Sequence, residues 1–328
     1  MKKYMNPRLW VGLRPVKATL ETAKLVFFYG KSFDEQRKFA LSKAVDILEQ
    51  EEFDNAKPTV IYLHGYIEHM EIESIRVISE AYLKRGDHNL ILVDWAELAD
   101  GNYLLDAVPN AMKLANLLAD TVLELINNGL DCNKLHIVGH SLGGQLSGQM
   151  GRKIKEKSNN TIKLKRISAL DPAFPPFYPG WIYKPLGKRD AELVDVIHTD
   201  AWLYGAPIST GTVDFWPNSG KTLQPGCPKR NYKMLSDNDL CSHRRSWWFW
   251  AESVAAKDVK SFPAVKCKSW DHFKEGKYDE EAPIAYMGID CPMNVCGDYY
   301  LQTNGDLPYS KGQSGITYVP KVKTSQRK

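Results

Sequence analysis

The segment Leu135–Gly144, LHIVGHSLGG, constrains the fold of this chain more than any other. LHIV is a short apolar run of the kind that forms a buried strand, and a helical pattern follows with almost no linker. Between them, Gly139-His140-Ser141-Leu142-Gly143 makes a GxSxG pattern. A strand that turns directly into a helix crowds its apex against neighbouring strands, so only small residues fit on either side. Such a turn lifts the central serine above the sheet and aims the helix N-terminus towards it. Ser141 is therefore the expected nucleophile. The same pentapeptide also occurs as a plain structural turn, so the surrounding elements must carry part of the argument.

Those elements are legible. Apolar runs at Thr59–Leu63, Leu90–Val93, Leu135–Val138, Ile167–Leu170 and Val194–Ile197 are bounded by Gly, Pro, Asp or Asn. They suit buried strands of a mostly parallel sheet. A helix is expected over Pro109–Asn128, with Gly129 as its stop and Ala111, Ala115, Leu118, Val122 and Leu125 as its apolar stripe. A second follows Glu73, with Ile75, Ile78, Ala81 and Tyr82 facing one way. Alternating strands and helices predict an α/β fold, its sheet covered by helices on both faces. From about Asp200 the chain turns rich in Gly, Pro, Asn and Cys until a helical stretch after Ser242. These are expected to be functional loops of one domain spanning 1–318, with a basic tail over 319–328 that frays.

A serine hydroxyl needs a base, and the base needs an orienting acid. On this architecture the order along the chain is Ser, acid, His. Asp171 closes the run RISALD before Pro172, at a strand's carboxyl end where such sheets place their sites; a turn-capping aspartate is the alternative. His243, in CSHRRSWW after a Cys-bounded loop, is the preferred base. His198 lies inside the strand VDVIHTD and reads as a core histidine, His272 falls in an irregular stretch, and His64 and His140 are expected to shape the site. Two backbone donors are expected to form the oxyanion hole: Leu142 N–H, directly after the nucleophile, and Tyr66 N–H, in the turn of IYLHGY.

Composition narrows the partners. A net charge of +4 with Lys and Arg spread along the chain argues against nucleic acid, while a basic face could still favour anionic lipid. No apolar run reaches membrane-spanning length. The amino terminus shows no signal-peptide apolar core. Even so, six cysteines (Cys132, Cys227, Cys241, Cys267, Cys291 and Cys296) and the sequon Asn159-Asn160-Thr161 favour an oxidising, extracellular setting. Pairing of the cysteines is left open by spacing alone.

Taken in order, IYLHGY, VDWAELADGNYL, VGHSLGGQLSG, ALDPAFPPFYP, VDVIHTDA, GTVDFWPNSGKTLQPGC and CSHRRSWWFWAES resemble the pancreatic lipase-like family over roughly Phe53–Asn304. The likeness is nearest to its insect lipases and sn-1-specific phospholipases. It implies an α/β-hydrolase fold, secretion, hydrolysis of lipid acyl esters without a cofactor, and the triad Ser141, Asp171 and His243. It also implies a lid over 227–241, tethered by a Cys227–Cys241 disulfide, and a lipid interface as partner. Three departures stand out. A C-terminal β-sandwich is not expected. Of the family's calcium ligands only Asp190 is matched, with Pro185 and Gly187 where charged residues would stand, so no metal is expected. Tyr278 occupies a position where many relatives have cysteine.

The lid is short and charged, with Tyr232, Met234, Leu235 and Leu240 as its apolar members. In the resembled family long lids accompany triacylglycerol and short ones phospholipid. The resemblance thus implies a triacylglycerol lipase, a phospholipase A1 or both, with the short lid pointing to phospholipid or mixed specificity. Trp247, Trp250, Ala251 and Val254 fit one buried helical face, leaving Trp248 as a lipid-contact candidate and Arg244 and Arg245 as solvated cations. A non-catalytic, yolk-type lipid-binding protein on the same fold is the rival expectation, and a soluble short-chain esterase a third.

Overall fold

The computed structural model describes residues 18–230, 233–257 and 259–320. The amino-terminal segment, Tyr232 of the expected lid and most of the expected basic tail (321–328) lie outside the described residues.

Eleven strands form one sheet: β1 (Lys24–Phe28), β2 (Gln36–Ala40), β3 (Thr59–Leu63), β4 (Asn89–Asp94), β5 (Leu135–His140), β6 (Arg166–Leu170), β7 (Leu193–Ile197), β8 (Val213–Pro217), β9 (Pro263–Lys266), β10 (Ala285–Tyr286) and β11 (Gly297–Leu301). Their spatial order is β10-β9-β11-β8-β7-β6-β5-β3-β4-β1-β2. From β4 across to β11 every pairing is parallel, and the antiparallel pairs β1–β2, β1–β4, β9–β10 and β9–β11 close the two margins. All five strands expected from the apolar runs are present within a residue or two. Among the marginal strands QRKFA is half exposed and β10 has two residues, whereas KLVFF is a mostly buried apolar run absent from the expected strands.

Alternation along each strand divides the core in two. Ile61, Leu63, Ile91, Val93, Ile137 and Ile167 face α2 (Val108–Asn127) and α3 (Leu142–Lys157). Val60, Tyr62, Leu90, Leu92 and Val138 face α1 (Glu73–Arg85) and α4 (Asp237–Ala255). Helices thus cover both faces, the architecture of an α/β-hydrolase. The predicted stripes are the buried ones: Ala111, Ala115, Leu118, Val122 and Leu125 on α2, and Ile75, Ile78, Ala81 and Tyr82 on α1.

Three expectations need correction. α4 starts at Asp237, not after Ser242: Ser236 caps it by accepting from Asp239 N–H, and Asp237 and Asp239 favour the positive helix end. The polar DND triplet, with no apolar period, hid that first turn, so the end of the expected lid loop is helical. Arg245 is buried rather than solvated. Its guanidinium lies 4.7 Å over the Tyr309 ring and donates to the Gly305 carbonyl at 2.8 Å. Trp247, Trp250, Ala251 and Val254 form the buried face as expected, and half-buried Trp248 stacks on Trp247 at 4.8 Å. His272 sits in a short helix, α5 (Trp270–Lys274), rather than in irregular chain.

Candidate active site

At the end of β5 the chain reverses into α3 through Ser141, whose φ of 54° and ψ of −118° lie where non-glycine residues rarely sit. The strain is held from both sides. Ser141 N–H donates to the Leu170 carbonyl, and Ala173 N–H donates to the Ser141 carbonyl, each at 3.0 Å. A Cβ on Gly143 would collide with the Leu63 carbonyl oxygen, and one on Gly139 with the Gly143 backbone. The glycines of the pentapeptide are therefore required by close approach, as the sequence argument supposed.

Asp171 follows β6 and is fully buried. Three donors converge on its carboxylate. Thr199 and Asp200 N–H reach Oδ1 at 2.7 and 3.1 Å, and His243 Nδ1 meets Oδ2 at 2.6 Å. His243 projects from the second turn of α4 and is 5% exposed. With Nδ1 committed to the carboxylate, Nε2 is the ring nitrogen left to exchange a proton with a nearby hydroxyl. Segments remote in sequence are thus drawn to one point: the β5–α3 elbow, the end of β6, the turn after β7, and α4.

Leu142 is the first residue of α3, so its N–H belongs to the first helical turn, which lacks intrahelical acceptors. The turn after β3 lies against the elbow: a Cβ on Gly65 would be 3.0 Å from Ser141 Cβ. Tyr66 is fixed in that turn by its hydroxyl, which donates to the Gly101 carbonyl at 2.7 Å, and by an edge contact with Tyr103.

Two residues were missed by sequence reasoning. Glu68 accepts from Gly65 N–H at 2.7 Å and from Ser74 Oγ at 3.1 Å, and it meets His140 Nδ1 at 3.0 Å. Burial alone would raise its carboxyl. The charge and hydrogen bond of His140, helped by His64 and the Gly65 amide, more than offset this and bring it to about 2. Its spacing of three from Gly65, that of a side chain reaching back to a turn amide, was the available signal. Asp200 is fully buried beside Asp171, and neither of its carboxylate oxygens accepts a well-formed hydrogen bond among the described residues. Burial first, then the neighbouring Asp171, push this carboxyl well above the usual range. No local pattern announces it.

The remaining predicted residues fall as follows. His198 is a buried core histidine, bonded to Asp214 at 2.7 Å and stacked on Trp216 at 3.8 Å. Cys227 and Cys241 are disulfide-bonded, while Cys132, Cys267, Cys291 and Cys296 are unpaired. Arg230 in the tethered loop pairs with Asp239, which also accepts from the Tyr204 hydroxyl. The Tyr204 ring lies 5.6 Å from that of His243, so the loop's base is latched beside the site. Met234 of this loop is exposed. Asp190 is engaged by Arg152 at 2.5 Å and by Gly187 N–H at 2.8 Å. Among the described residues no cluster of three metal-ligating side chains occurs, and no helix is long and apolar enough to cross a membrane.

The family profile described as Lipase matches residues 11–309. Vitellogenin-3 of Drosophila melanogaster is 30% identical over 228 residues, covering 70% of this chain and 51% of that protein. Lipase member H-A of Xenopus laevis is 32% identical over 241 residues, covering 72% and 49%. Pancreatic triacylglycerol lipase of Sus scrofa is 32% identical over 238 residues, covering 67% and 51%. The chain spans about half the length of the curated relatives it matches.

Proposed function

The chain belongs to the lipase family, and from that premise we propose that it is a carboxylic ester hydrolase acting on the acyl esters of lipids. The observation that carries the proposal is the 2.6 Å bond from His243 to buried Asp171, assembled beside a strained Ser141. In this reading Ser141 Oγ attacks the acyl carbonyl carbon while its proton passes to His243 Nε2, and Asp171 stabilises the resulting imidazolium. The developing oxyanion accepts from Leu142 and Tyr66 N–H. Collapse of the tetrahedral intermediate expels the alcohol, which takes the proton from His243, and leaves an acyl-enzyme. Water, activated by the same imidazole, then releases the fatty acid and restores Ser141. The disulfide-tethered 227–241 loop acts as a lid over this site, and its shortness favours phospholipid cleaved at sn-1 over triacylglycerol. Its disulfide, the sequon on an exposed turn at Asn159 and the secreted character implied by the family resemblance support an extracellular setting.

A second reading has a specific basis, because one of the matched relatives is a vitellogenin. On that reading the fold would hold lipid without cleaving it. Retention of Ser141, Asp171 and His243 favours the enzyme. The deciding experiment compares wild type with Ser141→Ala on triolein, on phosphatidylcholine labelled at sn-1, and on a soluble short-chain ester. Turnover by wild type alone is expected, greatest on phospholipid. Background rates for both proteins on every ester would leave the storage reading standing.

A further inference from the structure

Trp181 and Ile182 are 90% and 73% exposed, at the tip of the loop that joins β6 to β7. Two large apolar side chains held this far out need an explanation, because the stem beneath them is firmly built. Arg152 donates to the Lys184 and Pro185 carbonyls at 3.0 and 3.1 Å, while Gln145 bridges the Ala173 carbonyl and the Leu186 amide. Behind the tip, Lys184, Lys188 and Arg189 are exposed. The neighbouring acids are otherwise engaged, Asp190 by Arg152 and Glu192 by Lys165.

We propose that this loop is an anchor that docks the site's mouth onto an anionic phospholipid surface. An aromatic and aliphatic tip backed by cations matches the chemistry of such a surface: rings settle at the headgroup boundary and lysines and arginines meet negative phosphates. Position supports the same occupant. The loop begins against the nucleophile, where Ala173 N–H bonds the Ser141 carbonyl. Its neighbours on this sheet edge also expose apolar side chains, Leu104 and Leu105 after β4, and Trp202 and Leu203 after β7. The three segments are joined by the Tyr103 hydroxyl on the Pro175 carbonyl at 2.6 Å and by the Phe174–Trp202 ring contact at 6.2 Å. A rigid rim of this kind sets the acyl ester at the height of Ser141. The inference rests on the lipid-ester reading but has a readout independent of catalysis.

The test is co-sedimentation of the full chain with vesicles of phosphatidylcholine alone, or with about one third phosphatidylserine. Binding is compared for wild type, a Trp181→Ser/Ile182→Ser variant and a Lys184→Glu/Lys188→Glu/Arg189→Glu variant. The tip variant should bind mixed vesicles about 10-fold or more weaker, with soluble-ester turnover within about two-fold of wild type. The charge variant should lose the preference for phosphatidylserine, and wild-type binding should weaken with salt. Unchanged binding by both variants overturns the anchor. So does a wild-type dimer that the tip variant converts to monomer with vesicle binding intact, which would make the tip a protein interface. Wild type that binds vesicles through the tip but cleaves no ester would keep the anchor and sink the hydrolase reading.

Discussion

Two histidine–carboxylate pairs meet in this site, His140 with Glu68 and His243 with Asp171, and the two rings lie 4.8 Å apart. Both carboxylates are buried and each gathers three donors, so neither burial nor bonding tells them apart. The difference is in what each pair holds. Glu68 takes Gly65 N–H and Ser74 Oγ from its own segment and so fixes the turn that carries Tyr66. Asp171 takes its two amides from beyond β7, while each carboxylate draws its histidine ring from a segment remote in the chain. Among the described residues His140 leaves its Nε2 buried without a hydrogen-bond partner, whereas the His243 ring lies beside Tyr204 at the base of the tethered loop. A histidine beside an acid is thus a scaffold in one place and a candidate base in the other.

The largest effects should fall on the second pair and its serine. Ser141→Ala, His243→Gln and Asp171→Asn are each expected to lower kcat on a soluble ester by about 10^3-fold or more. Glu68→Gln and His140→Gln should cost less, about 10- to 100-fold, because they loosen the oxyanion turn without removing the proton path. Steady-state kinetics on the five variants breaks the comparison if Glu68→Gln is as damaging as Asp171→Asn.

The sequence disclosed these two pairs unequally. Asp171 and His243 were legible because chain order on this architecture restricts where acid and base can stand, and RISALDP marks a strand end. Gly139 and Gly143 were legible because the crowding they relieve is local. Glu68 acts across a turn and left only a spacing of three from Gly65. Asp200 and Arg245 were not legible at all. Their burial is set by segments after β7 and β11 that fold over them, and one-dimensional pattern carries no record of that. The first turn of α4 was lost for a different reason: its signal is capping by Ser236, not apolar period.

Stability against pH sharpens the contrast further. The Glu68 carboxyl falls from 4.5 to about 2 on folding. Its contribution, of order 3 kcal/mol, is complete above about 4.5 and is lost as pH drops towards 2. Denaturant titrations of Glu68→Gln should show a shallower loss of stability over that window than wild type. An identical slope would detach Glu68 from the His140 pair. Asp200 works in the opposite sense. Its carboxyl is raised on folding, so the folded state loses stability as pH climbs from the unfolded value near 3.8 through the raised one. Asp200→Asn should melt at or above wild type, by about 2–4 °C at pH 8 and by less at pH 4. A variant that melts lower at pH 8 would mean the ionised carboxylate is needed where it sits.

The central claim is that the strained serine beside the second pair is the nucleophile. Incubating the full chain with a fluorophosphonate and mapping the adduct by peptide mass spectrometry tests it most directly. A single adduct on the peptide containing Ser141 is expected, absent from Ser141→Ala and strongly slowed in His243→Gln. Folded wild-type protein that takes up no adduct, or takes it on another serine, would contradict the account.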